Sequence, residues 1–192
     1  MRFIFFSLAF LLSLPFPSHA GTLRRVIEPI HFRAVAEDDP LLADRYKNTE
    51  AFYSIRPPAG WKLNPLGPSE KSLPYASHFQ NPKTGDFLSL GLLQGGPSDL
   101  TIEALSRFRG DYLLSIRKSG LGRIIGSELY QFDHFDCVQI MLENKGILTL
   151  QLLVFNQPGS FLMLSFSMGA GRYHSLAREV ESSIASLEWP SL

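Results

Sequence analysis

The sequence predicts an α+β domain in which a largely antiparallel sheet is sandwiched between helices. Three observations predict it. Between residues 75 and 168 apolar residues recur at every second position, in runs joined mostly by short turns. One stretch inside this block and one after it change to the three-and-four spacing of an amphipathic helix. Strands in a block, with one inserted and one trailing helix, form segregated layers and not repeated βαβ units.

The chain has 192 residues, with Lys+Arg 18 and Asp+Glu 18, so its formal charge is zero. That balance gives no electrostatic reason to expect nucleic acid or an anionic membrane as partner. Hydrophobic residues make up 45%, ample for a packed core, so long disorder is not expected.

The first residues read "MRFIFFSLAFLLSLPFPSHAG". Arg2 is a minimal positive region, residues 3–14 are apolar, and Pro15 and Pro17 break the run. Ser18-His19-Ala20 offers small residues where a signal peptidase reads, which predicts a signal peptide over 1–20 with cleavage after Ala20. The run is shorter than the roughly 20 residues a membrane-spanning helix needs, so no transmembrane helix is expected after cleavage. The expected location is outside the cytoplasm, periplasmic or extracellular. Cys137 is the single cysteine, so no intramolecular disulfide can form. It sits in a strand pattern with Val138, Ile140 and Leu142, which reads as a small buried hydrophobe.

In chain order, residues 21–49 read as an extension or linker, with Asp39-Pro40 opening a short helix through Tyr46. The domain proper spans 50–192. A strand over residues 52–55 stops at Pro57-Pro58, because proline cannot donate to a ladder. Gly60 permits a turn, and Trp61 folds back into the core; Arg56 and Lys62 beside it read as solvated. "YASHFQ" and "FLSLGLLQ" flank the turn residues "NPKTGD" and form a hairpin. Ile102, Leu105, Phe108, Tyr112, Leu113 and Ile116 then form one helical stripe, started by Ser98 or Thr101 and ended near Gly120. Gly110 lies inside it, at a cost of about 1 kcal/mol relative to alanine.

Four strands follow, over 123–132, 135–143, 147–155 and 160–168. Their joins, such as Asn144-Lys145-Gly146 and Gln157-Pro158-Gly159, are too short for parallel crossovers, so neighbours are antiparallel. In the third of these strands both faces carry apolar residues, which predicts cover on both sides. A last helix presents Tyr173, Leu176, Ala177, Val180, Ile184 and Leu187 and ends at Trp189-Pro190.

The ordered set "FYSIRPPAGW", "HFQNPKTGDFLSLGLL", the helix from "SDLTIEAL", the strand meander and the closing "SLEW" resembles the PsbP superfamily over residues 50–192. That superfamily holds the P subunit of the photosystem II oxygen-evolving complex, a Ran GTPase-binding nuclear-import factor and many exported bacterial proteins. The resemblance implies a sheet between helices and a binding or assembly role in place of catalysis. It transfers no site residues, and a secretory signal does not fit a nuclear Ran-binding role.

Few constellations suggest chemistry. In "FDHFDC", His134 and Asp136 point the same way in an extended segment and could hold a divalent metal, given a further ligand from His78, His31 or His174. The plainer reading is a polar hairpin tip. "GAGRYH" fails as a dinucleotide fingerprint, since no strand follows it before Leu192. Its helix-start amides, with Arg172 and His174, could hold an anion, or the junction is an ordinary short turn. Trp61 could be an aromatic binding platform, although a structural corner is preferred. The chain has no GxSxG, HExxH or GxxxxGK[ST] motif, and no cofactor is expected.

The expected function is that of an exported, non-catalytic accessory protein binding another protein of the cell envelope. Alternatives are a small-ligand, anion or metal-binding domain, and a hydrolase whose site assembles only in three dimensions. A concave apolar pocket with convergent polar groups favours the alternatives, and a flat or edge-strand surface carrying exposed aromatics favours the first reading.

Overall fold

A computed structural model of the chain describes residues 24–25, 38–64, 76–132 and 135–190. The described strands are β1 (Arg24–Arg25), β2 (Tyr46–Asn48), β3 (Tyr53–Ile55), β4 (Lys62–Leu63), β5 (Ser77–Gln80) and β6 (Phe87–Gln94), then β7 (Arg123–Phe132), β8 (Phe135–Asn144), β9 (Ile147–Phe155) and β10 (Ser160–Gly169). The helices are α1 (Ile102–Ser119) and α2 (Tyr173–Ala185), the second preceded by a 3₁₀ turn at Ala170–Arg172.

The main sheet runs β1-β7-β8-β9-β10-β6-β5-β4, and every described pairing is antiparallel. Helix α1 carries the chain from β6 across the sheet to β7. The meander β7 to β10 then returns until β10 lies beside β6. Each hairpin predicted from turn residues forms. The Asn144–Ile147 join uses Lys145 and Gly146 at positive φ, which glycine adopts freely.

Alternation along the strands sorts two cores. On one face Leu88, Leu90, Leu152, Val154, Leu164 and Phe166 pack with Val180 and Ile184 of α2, and with Trp61. On the other Val138, Ile140, Leu153, Phe155 and Phe161 pack with Leu105 and Ile116 of α1. Strand β9 therefore contributes to both cores, as its two-sided apolar pattern predicts. Helix α1 begins at Thr101, whose hydroxyl accepts the Ala104 amide, and ends at Gly120 in the left-handed region.

Two expectations are corrected. Residues 39–46 do not form a helix. The Asp39 carboxylate accepts the Leu41 amide, the Ala43 amide bonds the Pro57 carbonyl at 2.8 Å, and Tyr46–Asn48 pairs with Tyr53–Ile55. The corner around Pro57 and Pro58 competes for these amides and carbonyls and outweighs local helix propensity. Arg56 is not solvated. It is only 8% exposed, and its guanidinium donates to the Ala43 and Asp39 carbonyls. Its own carbonyl accepts the Ser183 hydroxyl of α2. This arginine fastens residues 39–43 to the domain.

Candidate functional site

Helix α2 begins only after the 3₁₀ turn, and its apolar stripe lies over the middle of the sheet. Strand β7 is irregular between Ile124 and Gly126, where the register with β8 shifts. Between the start of α2 and strands β7 and β8 this leaves a cleft of about 320 Å³. Met141 and Leu148 give it an apolar lining, Tyr173 and His174 belong to α2, and Glu128, Tyr130 and Gln139 supply polar groups.

The Tyr130 hydroxyl donates to Glu128 at 2.8 Å. Glu128 faces Gln139 directly across the β7–β8 ladder. Arg123 and Glu143 form an exposed ion pair of 3.3 Å, which stabilises little but fixes both chains beside the opening. Burial raises the Tyr173 hydroxyl above its ordinary pKa, and the charge of Glu181 two turns along α2 adds to the effect. Strand β7 also has an outer edge. On that side it pairs only with Arg24 and Arg25, opposite Gln131 and Tyr130, among the described residues.

The residues singled out from sequence do not converge. Trp61 is buried in the α2-side core. Asp136 lies near the start of β8, half-buried, with its carboxyl pKa raised by burial. His134 lies outside the described residues. Among the described residues no three His, Cys, Asp or Glu side chains are grouped to hold a metal ion. His174 is exposed beside the cleft. The Arg172 guanidinium is engaged by Asp86, whose carboxylate also accepts the Gly169 amide. The anion at this junction is thus one of the chain's own side chains.

A histidine–serine pair escaped the sequence reading. His78 Nδ1 and Ser89 Oγ are 2.8 Å apart, with the imidazole stacked on Phe87. They are register partners on β5 and β6, a relation that follows only once the hairpin register is known. Ser89 sits mid-strand between two ladders, so the surrounding amides are committed to sheet bonds and offer no oxyanion donors. Cys137 is fully buried, and its thiol is pushed well above its ordinary pKa by burial and then by the Asp136 charge.

An antiparallel sheet with a helix on each face and a cleft at one helix start defines an α+β domain. The fold is PsbP-like. It is similar to the solved structure of cyanobacterial PsbP (CyanoP) from Synechocystis sp. PCC 6803, with a TM-score of 0.59 and 16% identity, over 81% of this chain and 96% of that one. A crystal structure from Bacteroides thetaiotaomicron VPI-5482 aligns with a TM-score of 0.46 and 18% identity, over 77% of this chain and 48% of that one. No protein-family model matches the chain, and no curated protein matches it in sequence. No helix among the described residues is long and apolar enough to cross a membrane.

Proposed function

We propose that this is an exported, non-catalytic accessory protein that binds another protein of the cell envelope. In this reading a partner contributes an extended segment that adds to the outer edge of β7, with alternate side chains entering the adjacent cleft. The observation that carries the reading is the coincidence of the two features on one strand. Arg123, Gly126, Glu128 and Tyr130 line the cleft, and β7 is the outermost long strand. Strand addition gains affinity from main-chain hydrogen bonds and specificity from pockets for alternate side chains. The PsbP-like fold supports an accessory role by analogy of architecture.

The size of the cleft supports a second reading, a small apolar ligand, since such pockets begin at roughly 300 Å³. Photo-crosslinking separates the two. A crosslinkable residue in place of exposed His174 should capture one recurrent envelope protein, and the same residue in place of Asp99 should not. Equal capture at both positions, or none, overturns the protein-partner reading. A small molecule co-purifying with the chain, lost in Met141→Lys, would support the second.

A further inference from the structure

Among the described residues, one end of the molecule carries cations without acidic partners beside exposed aliphatic side chains. That end collects the Asn81–Asp86 turn, the β8–β9 hairpin, the α1–β7 loop and the β10–α2 junction. Hydrogen bonds tie these segments side by side: Asn144 Nδ2 donates to the Leu121 carbonyl at 3.1 Å, the Ala170 amide to Gly146 at 2.9 Å, and Arg172 to Asp86 at 3.1 Å. The carboxylates of this end are matched, Glu143 by Arg123 and Asp86 by Arg172. Lys83, Arg117, Lys118 and Lys145 are exposed there and have no ion-pair partner among the described residues. The opposite end is mixed, with Arg107 near Asp99 and Arg24 and Arg25 placed beside Gln131 and Tyr130.

The same loops expose large apolar side chains. Leu121 is 58% exposed, one residue past the left-handed Gly120, and Ile147 is 46% exposed beside the Lys145-Gly146 turn. Lys118 precedes Leu121 by one loop, and Lys145 precedes Ile147 by two residues. Cations and aliphatic tips thus alternate on adjoining protrusions. An acidic protein surface would pair with the cations but would gain little from the two aliphatic tips. An anionic bilayer satisfies both, with phosphates at the depth of the ammonium and guanidinium groups and hydrocarbon just beneath.

We propose that this basic end docks on an anionic phospholipid surface, with Leu121 and Ile147 entering the headgroup layer and Arg117, Lys118 and Lys145 on lipid phosphates. The contact is peripheral and lies at the end of the molecule where Arg123, Glu143 and Ala170 line the cleft.

The test is cosedimentation of the chain with phosphatidylcholine vesicles and with vesicles that also contain phosphatidylglycerol. The readout is the ratio of the two partition coefficients, because the apolar residues 3–14 do not distinguish the two vesicle types by charge. The expected ratio favours phosphatidylglycerol and collapses at high salt. Lys118→Gln with Lys145→Gln should lower it ~25-fold, at roughly fivefold per charge near the surface. Leu121→Ser with Ile147→Ser should lower partition into phosphatidylglycerol vesicles roughly tenfold or more. All four side chains are exposed, so these variants keep the fold. A ratio near unity, or one the variants leave unchanged, overturns the proposal. Absence of vesicle preference while the charge variants lose an acidic protein partner overturns it in favour of a protein.

Discussion

Asp86, at the end of the β5–β6 turn, and Arg172, at the start of the last helix, meet across 86 residues of chain. The Asp86 side chain is 1% exposed and the Arg172 side chain 43%, so a buried carboxylate is held by a half-exposed arginine. Burial raises the Asp86 carboxyl, but hydrogen bonds from Arg172 and Thr84 and the guanidinium charge outweigh it and keep it below its ordinary 3.8. In the folded chain protonation is therefore harder than in the unfolded one. The stability it contributes is full above about pH 4 and is lost as pH falls through the folded pKa. Arg172→Ala should cost about 2–3 kcal/mol at neutral pH, because it strands the carboxylate without its counter-charge. The deficit narrows on acidification, because protonation of Asp86 removes what Arg172 contributes in the wild type. Urea unfolding at neutral and acid pH measures both, and a deficit that widens in acid refutes the account.

Ser77 is the hub of a second buried network. Its hydroxyl accepts from Tyr53 at 2.8 Å and from Asn48 at 3.3 Å, and donates to Tyr46 at 2.9 Å. Burial pushes the Tyr53 hydroxyl up to about 12, and the bond to Ser77 lowers it in part. Ser77→Ala should cost about 1–3 kcal/mol by leaving that hydroxyl without an acceptor. Tyr53→Phe removes the orphaned group, so the double variant should cost less than the sum of the two singles. A double-mutant cycle by urea unfolding measures this, and strict additivity would show that the contact contributes nothing.

Gly110 sits mid-helix in α1, and a Cβ added there would meet nothing within 4 Å. No close contact therefore requires a glycine at this position. Gly110→Ala should stabilise the protein by about 1 kcal/mol, through helix propensity and a less free unfolded chain. A melting temperature that falls in this variant refutes the propensity account.

What could be read in advance was local. The Thr101 cap, the stripe from Ile102 to Ile116 and Gly120 bound a helix without reference to the rest of the chain. The turn residues around Lys145 and Gly159 likewise join neighbouring strands. What could not be read depends on register or distance. The burial of Arg56 needs carbonyls at positions 39 and 43 brought beside it. The His78–Ser89 pair needs the β5–β6 register, and the cleft needs both the irregularity at Ile124 and the late start of α2. No residue type or spacing in Arg123–Phe132 announces such a cleft, since each polar side chain there is ordinary for an outer strand.

Glu181 offers the clearest pH-dependent prediction. It lies on α2 with Tyr173, and burial pushes its carboxyl from 4.5 up to about 7. A folded pKa above the unfolded one means that the folded chain holds the proton more tightly. The stability it contributes is present below about pH 4.5 and is lost as pH rises through 7. Glu181→Gln keeps the shape and cannot ionise. It should match the wild type near pH 4 and exceed it at pH 8 by on the order of 1–2 kcal/mol, reduced from the full shift because the carboxyl is only partly buried. Denaturant unfolding across pH 4 to 8 gives the comparison. Parallel curves throughout would place the titration elsewhere, whereas curves that diverge between about pH 4.5 and 7 assign it to Glu181.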